Sequence, residues 1–425
     1  MILFLIYIVL SCGILTLFNI PRKLNLQVGS TLGVFIFKIM ISVAMIQYYS
    51  NGKYERDEID IFKFYDDGQL LNDVFYKDPT AYLQLLSGIY QPSIELDDYM
   101  KYSINWRKQP DVFLKKHQLI DFNWFNDQRL ITKINSVLHF FSQQNIYIHA
   151  LFFCFISMIS SALMVQFTQS IFQSHSPLTT WYFAFLPGIL VWTILPLKES
   201  ILFLGVALML LSFSRLLHQL QTKYLVSLVF GVILVLLSKY YVLLILSPLT
   251  IYLFFKEKTP DLSWIPNFIT ITAALLTMYY LLPQFEVKMN DNLRISNLYP
   301  EATVLEEYSP YPTSFIDYLK TLPNGIYRVL NEPNFANYSG SFQQLAAIEN
   351  IGILILLLLS VLNLVKHKRW SLILMILSTL IVAGTLIGMT TLIVGNLVRY
   401  KMTLLIVFGT IISSTITLKP FFKKQ

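Results

Sequence analysis

The chain has 425 residues, of which 55% are hydrophobic and only 13% are charged. Soluble domains carry about 25% charged residues, so this composition excludes an ordinary soluble protein. The formal net charge of +7 does not indicate a nucleic-acid partner, because most of the excess lies at the ends of apolar segments, where it suits anionic lipid headgroups.

Apolar segments of membrane-spanning length recur along the whole chain. A helix of about 20 apolar residues crosses the bilayer core, where lipid leaves backbone polar groups no other partner than the helix itself. We predict spans at residues 2–19, 28–49, 147–170, 179–195, 200–215, 224–238, 241–255, 263–282, 350–365, 370–393 and 402–418. The predicted fold class is all-α: a polytopic transmembrane helix bundle of about 11 spans, forming a single multi-pass domain over residues 1–425.

Basic residues between these spans predict the orientation. With the N-terminus outside and the C-terminus inside, the cytoplasmic segments collect a clear excess of cations, as the positive-inside rule requires. These cations are Arg22, Lys23, Arg215, Lys223, Lys256, Lys258, Lys366, Lys368, Arg369, Lys419, Lys423 and Lys424. Two long polar segments, about 50–146 and 283–349, then become extracytoplasmic insertions.

Two polar tetrads interrupt the apolar pattern at residues 197–200 and 238–241. We interpret both as turns of helical hairpins near the same membrane face, similar to the broken helices that line cavities in transporters. A single span over 224–255 would invert everything after it and place the basic segment 366–369 outside. The hairpin is therefore the preferred interpretation.

An acidic segment directly follows the second span. It contains Asp60 and Asp67, and we expect the aromatic residues Phe62, Phe64 and Tyr65 to hold it at the membrane interface. A carboxylate there could act as a general base toward an incoming hydroxyl, or bind a divalent cation beside a phosphate. The alternative is a solvated acidic loop without a chemical role.

Four cations break the charge rule because they lie on the predicted outer side, namely Lys198, Lys239, Arg399 and Lys401. Cations at the outer ends of bundle helices would suit a phosphate or pyrophosphate headgroup, and Arg399 could bind it with two hydrogen bonds. The alternative is that each extends to the interface or pairs locally, for example Lys198 with Glu199.

Lys38 lies near the middle of the second predicted span. An unpaired charge there costs on the order of 3 kcal/mol, so the side chain should face the bundle interior. A carboxylate partner such as Glu199 or Glu349, a ligand role and a neutral amine all stay open.

Several common kinds of site have no signature in the sequence. Cys12 and Cys154 both lie in predicted spans and indicate neither a disulfide nor a metal site. The histidines form no pair at metal-ligand spacing, and there is no glycine-rich phosphate loop. The sequence therefore argues against ATP hydrolysis and predicts no cofactor beyond the divalent cation considered above.

The arrangement resembles the GT-C superfamily, the multi-span glycosyltransferases that use polyprenyl-phosphate sugars, and in particular its bacterial envelope-polysaccharide members. Four stretches carry the resemblance: residues 60–67, 186–200, 238–241 and 396–401. The resemblance implies that Asp60 or Asp67 is the catalytic base. It also implies that Lys198, Lys239 and Arg399, together with the neighbouring Glu199, form the lipid-phosphate site.

We therefore expect a glycosyltransferase of the bacterial cytoplasmic membrane, in which a carboxylate deprotonates the acceptor hydroxyl while outer cations stabilise the departing lipid phosphate. Its partners would be a polyprenyl-phosphate-linked sugar and membrane lipid. A lipid-linked polysaccharide polymerase of the O-antigen type would also need outer cations. A lipid-linked oligosaccharide flippase would explain Lys38, although the inverted repeats typical of such transporters are not visible.

Overall fold

The computed structural model describes residues 2–52, 55–88, 94–104, 127–172, 177–258, 314–338, 340–391 and 393–416, with short pieces at 268–269, 271–276, 279–280 and 312. These residues are almost entirely helical, and none of them belongs to a β-strand. The predicted all-α class is therefore confirmed. The predicted span 263–282 and the second insertion fall largely outside the described residues, as do Lys419, Lys423 and Lys424.

The helices follow one another with short connections. They are α1 Ile2–Leu17, α2 Ile20–Leu24, α3 Val28–Ser50, α4 Asp60–Lys77, α5 Pro79–Ser87, α6 Ile94–Tyr99, α7 Asp127–Ser142, α8 Ile146–Phe172 and α9 Pro177–Phe185. They continue with α10 Pro187–Thr193, α11 Lys198–His218, α12 Thr222–Lys239, α13 Val242–Lys258, α14 Phe315–Asn331, α15 Ser341–Lys366, α16 Trp370–Ala383, α17 Val394–Tyr400 and α18 Met402–Thr415. A π-helical segment, Gly384–Gly388, extends α16.

Six helices are long and apolar enough to cross a membrane: α3, α8, α11, α12, α15 and α16 with its π-helical extension. A seventh crossing is formed if α17 and α18, which meet at a bend of 41°, count as one span. Helices α1 and α13 are apolar but shorter. The protein is thus a helical membrane protein with several crossings.

The chain divides into two compact units, each assembled from three segments. Unit 1 comprises Met1–Leu163, Leu190–Met209 and Val226–Tyr240. Unit 2 comprises Met164–Ile189, Leu210–Leu225 and Tyr241–Gln425. Distant parts of the sequence therefore meet within each unit.

In unit 1, the first predicted insertion is helical in its described part. Buried side chains of α4 recur at helical spacing, as Ile61, Phe64, Tyr65 and Leu71 show, and this face packs on α7. Gly68 permits the close approach, because a Cβ there would lie 2.7 Å from the Asn135 Cβ.

Helices α11 and α12 also approach closely through small residues in unit 1. A Cβ added to Gly205 would lie 3.0 Å from the Gly231 carbonyl oxygen, and one added to Gly231 would lie 2.7 Å from the Met209 nitrogen. Small residues of this kind let transmembrane helices pack backbone against backbone. This contact holds the end of α12 beside the start of α11.

In unit 2, α14 packs on the π-helical segment. The Tyr318 hydroxyl and Thr385 Oγ1 form a buried hydrogen bond of 2.8 Å. A Cβ on Gly325 would lie 2.6 Å from the Gly384 carbonyl oxygen. This packing positions the connection between α14 and α15, which carries part of the candidate site.

Candidate functional site

The first polar tetrad follows a break in the helix that is enclosed by protein in unit 1. Helix α10 ends at Thr193 and α11 begins at Lys198. Ser42 Oγ donates to the Ile194 carbonyl at 3.0 Å, and Ser200 Oγ donates to the Thr193 carbonyl at 2.8 Å. Non-helical backbone at membrane depth is tolerated only where such partners exist, so the break is a built feature of the fold.

The two polar tetrads meet in a buried ion pair. Lys239 Nζ lies 2.8 Å from Glu199 Oε1, and the two side chains are 3% and 0% exposed. Glu199 occupies the first turn of α11 and Lys239 the last turn of α12, so each charge also suits the dipole of its own helix. Lys198, which begins α11, is buried as well.

Lys38 belongs to the same unit and is completely buried. Its ammonium donates to Ser157 Oγ at 2.8 Å, and this hydroxyl lies 2.7 Å from Thr193 Oγ1. The acceptor is therefore a hydroxyl and not a carboxylate. The chain of hydrogen bonds from Lys38 reaches the residue at which α10 ends.

The acidic residues of α4 have distinct environments. Asp60 lies in the first turn, is 43% exposed and has Lys63 Nζ 4.0 Å away. Asp67 is 1% exposed and accepts the backbone N–H of Ile104 at 2.9 Å. Asp66 binds Arg56 through two hydrogen bonds of 2.7 and 2.8 Å. Asp60 is thus the accessible carboxylate, whereas Asp67 anchors a connecting segment.

The aromatic residues next to these carboxylates do not lie at an interface with lipid. Phe62, Phe64 and Tyr65 are all buried within unit 1, contrary to the prediction that they hold the segment against the membrane. Burial raises the pKa of Tyr65 to about 12. Helix α4 is therefore held by packing against protein.

A buried histidine pair lies where α4, α7 and α8 meet. The rings of His139 and His149 are 4.5 Å apart between centroids, and both contact the Tyr65 ring. His149 binds Asn135 Oδ1 at 2.8 Å and Ser142 Oγ at 2.9 Å. Burial lowers the pKa of His139, which favours a neutral ring. Sequence spacing did not indicate this pair, because the contact depends on the packing of the helices.

In unit 2, Lys401 lies buried between α17 and α18. Its ammonium donates to Asn350 Oδ1 at 3.0 Å and to the backbone carbonyl of Glu332. Asn350 Nδ2 in turn donates to the carbonyls of Asn331 and Pro333, at 3.2 and 3.0 Å. Lys401 and Asn350 thereby fix the connection between α14 and α15.

The side chain of Glu332 faces this buried, positively charged environment. Its Oε1 accepts a hydrogen bond of 3.0 Å from Asn334, whereas Oε2 has no hydrogen-bond partner among the described residues. Burial raises the pKa of this carboxyl, and the Lys401 charge partly opposes that shift. Arg399, in α17 of the same unit, is 7% exposed.

The carboxylate of Glu349 is also occupied within unit 2, where Oε1 accepts the Gly188 backbone N–H at 2.8 Å. Among the described residues, no group of three His, Cys, Asp or Glu side chains is arranged to hold a metal ion. The groups available for chemistry are therefore separate cations and carboxylates at the ends of helices.

Comparisons with known protein families, curated proteins and solved structures find no match for this chain. The fold and the candidate site define the class as a helical membrane protein with charged side chains buried at helix ends. Any more specific assignment depends on the chemistry of those side chains.

Proposed function

We propose that the protein is a membrane glycosyltransferase resembling the GT-C superfamily, which transfers a sugar from a polyprenyl-phosphate donor to an acceptor outside the bacterial cytoplasmic membrane. The observation that carries this proposal is the burial of Lys198, Lys239, Arg399 and Lys401 at helix ends. A cation withdrawn from water interacts more strongly with a phosphate than an exposed one does.

In unit 1, Lys198 is the candidate for the lipid phosphate, because Lys239 is already neutralised by Glu199. Glu199 would then act by holding Lys239 and the start of α11 in place. In unit 2, Arg399 is the candidate for the same chemical group, since a guanidinium can bind two phosphate oxygens at once.

The proposed reaction needs one base and no redox partner. Asp60 accepts the proton of the acceptor hydroxyl, whose oxygen forms a bond to the anomeric carbon of the sugar. The bond from that carbon to the phosphate oxygen breaks, and the lipid phosphate leaves with the electron pair. Cations near that oxygen stabilise its charge, and a divalent cation is optional in this scheme.

The proposed topology has about 11 crossings, with the N-terminus outside and the C-terminus inside. The region 224–255 holds two separate helices, of 18 and 17 residues, which correspond to lengths of about 27 and 26 Å. Each is close to the thickness of a bilayer core, which favours two crossings. Predicted inner ends also meet in unit 2, where Lys256 Nζ lies 3.1 Å from the Ile171 carbonyl.

Labelling of single cysteines introduced at residues 90, 300 and 367 should read outside, outside and inside, respectively. The background for this experiment replaces Cys12 and Cys154, and a membrane-impermeant maleimide supplies the signal before and after lysis. Accessibility of residue 367 from outside would contradict two crossings in 224–255 and the outer position of Lys239.

The function is tested by supplying the purified protein with a polyprenyl-phosphate sugar carrying a labelled sugar and with candidate acceptors. We expect transfer of label to an acceptor hydroxyl and release of polyprenyl phosphate. Lys198→Ala should weaken donor binding roughly ten- to a hundredfold, as loss of a charge-assisted contact does, whereas the exposed Lys223→Ala is the control. Elongation from a pyrophosphate-linked oligosaccharide alone would indicate a polymerase.

One observation favours a transporter as the second candidate. Lys38, Ser157 and Thr193 form a buried polar chain next to a broken helix, an arrangement found where transporters bind substrate near the bilayer midplane. Lipid translocation in vesicles by a wild-type protein that transfers no sugar would support this candidate over the transferase.

A further inference from the structure

A cavity of about 420 Å³ lies in unit 2 where the ends of α8 and α13 meet the start of α16. Lys256 and Arg369 supply two cations to its lining, and Ser371 supplies a hydroxyl. Phe172 and Leu372 contribute apolar walls, and the lining includes no carboxylate. The cavity therefore combines positive charge with apolar surface, and its volume is in the range of small-ligand sites.

The ammonium of Lys256 is held in place at this cavity. Its Nζ donates to the Ile171 carbonyl at 3.1 Å and lies 5.4 Å from the centre of the Phe172 ring. Both groups belong to the last turn of α8, where a cation also suits the helix dipole. Lys256 thus offers a fixed positive charge.

Arg369 complements this fixed charge. It is exposed, and its guanidinium makes no hydrogen bond or ion pair with other described residues. Five donors are therefore available to an incoming anion. The exposed Lys366 and Lys368 precede it, and Trp370, which is 55% exposed, follows it. A tryptophan next to a basic segment is typical of the membrane interface.

We propose that this cavity binds the phosphate of an anionic phospholipid headgroup, with Lys256 and Arg369 on the phosphate oxygens and the acyl chains leaving along the apolar wall. Basic pockets between transmembrane helices bind acidic lipid headgroups in this way. The site lies on the face that the proposed topology assigns to the cytoplasm, so it is distinct from the donor site, and it does not depend on glycosyl transfer.

The test is native mass spectrometry of the detergent-purified full chain, titrated with phosphatidylglycerol, phosphatidylcholine or glycerol 3-phosphate. We expect phosphatidylglycerol to bind at least tenfold more tightly than either comparison ligand. The double variant Lys256→Gln/Arg369→Gln should weaken that binding at least tenfold. The control Lys366→Gln/Lys368→Gln, which removes the same charge from the neighbouring segment, should change it less than twofold.

Equal losses in the two double variants would overturn the proposal, because they would show attraction to basic charge in general. Equal affinity for glycerol 3-phosphate would overturn the lipid and leave a phosphate site. Arg369→Lys keeps the charge and should retain most of the binding, which separates loss of the ligand contact from loss of folding. A null result with the glycosyl acceptor assay would leave these measurements unaffected.

Discussion

Glu199→Gln is expected to lower the free energy of unfolding by about 3 to 5 kcal/mol, because it leaves a buried ammonium without its carboxylate. Lys239 Nζ lies 2.8 Å from Glu199 Oε1, and neither side chain is more than 3% exposed. A lone charge in such a position has no water to replace the lost partner. The pair also joins the start of α11 to the end of α12, so both helix ends should loosen.

The double variant Glu199→Gln/Lys239→Met should recover most of that loss, since it removes both buried charges together. Pulse proteolysis in detergent, followed across a denaturant series, measures the three variants. Asp98→Asn is the matched control, because Asp98 forms an exposed pair with Lys101 at 3.6 Å that is worth at most about 1 kcal/mol. A Glu199→Gln loss no larger than that of the control would contradict the structural role of the pair.

This result would also bear on the proposed chemistry. A lysine whose charge is already neutralised offers little to a phosphate, so the binding role in unit 1 would pass to Lys198. The sequence suggested that Glu199 pairs with its neighbour Lys198, because adjacency is all that a sequence displays. The pair with Lys239 requires knowing that α11 and α12 pack through Gly205 and Gly231.

The positions of the long helices could be predicted well from local hydropathy. The predicted spans 28–49 and 147–170 correspond to Val28–Ser50 and Ile146–Phe172. The predicted span 179–195 is instead divided between α9 and α10 around Leu186, since Pro187 disfavours helical geometry in the residue before it. Hydropathy averages over such a break, so it shows an apolar segment without showing its division.

The first insertion shows the opposite limit. Its buried residues Ile61, Phe64, Tyr65 and Leu71 already have helical spacing in the sequence, but the acidic residues between them suggested a surface segment. Their partner surface on α7 lies more than sixty positions along the chain. Contacts such as Gly68 with Asn135, and His139 with His149, depend on that pairing and have no local signature.

The second large effect is expected on catalysis. Asp60→Asn should lower turnover by at least a hundredfold while donor binding persists, because a general base contributes roughly 10² to 10⁴ in rate and the amide cannot accept the proton. Asp60 is the candidate that satisfies access, being 43% exposed at the start of α4. Turnover and donor affinity are measured separately with the labelled polyprenyl-phosphate sugar.

Asp67→Asn is the control within the same helix. Asp67 is 1% exposed, and its Oδ1 accepts the Ile104 N–H at 2.9 Å. An asparagine retains an oxygen that can accept this bond, so turnover should fall less than tenfold. Collapse of turnover in Asp67→Asn together with full activity in Asp60→Asn would move the base to the buried position. A proton acceptor there would have to reach the hydroxyl through a rearrangement of the 94–104 segment, because a base must come within about 3 Å of the proton that it removes.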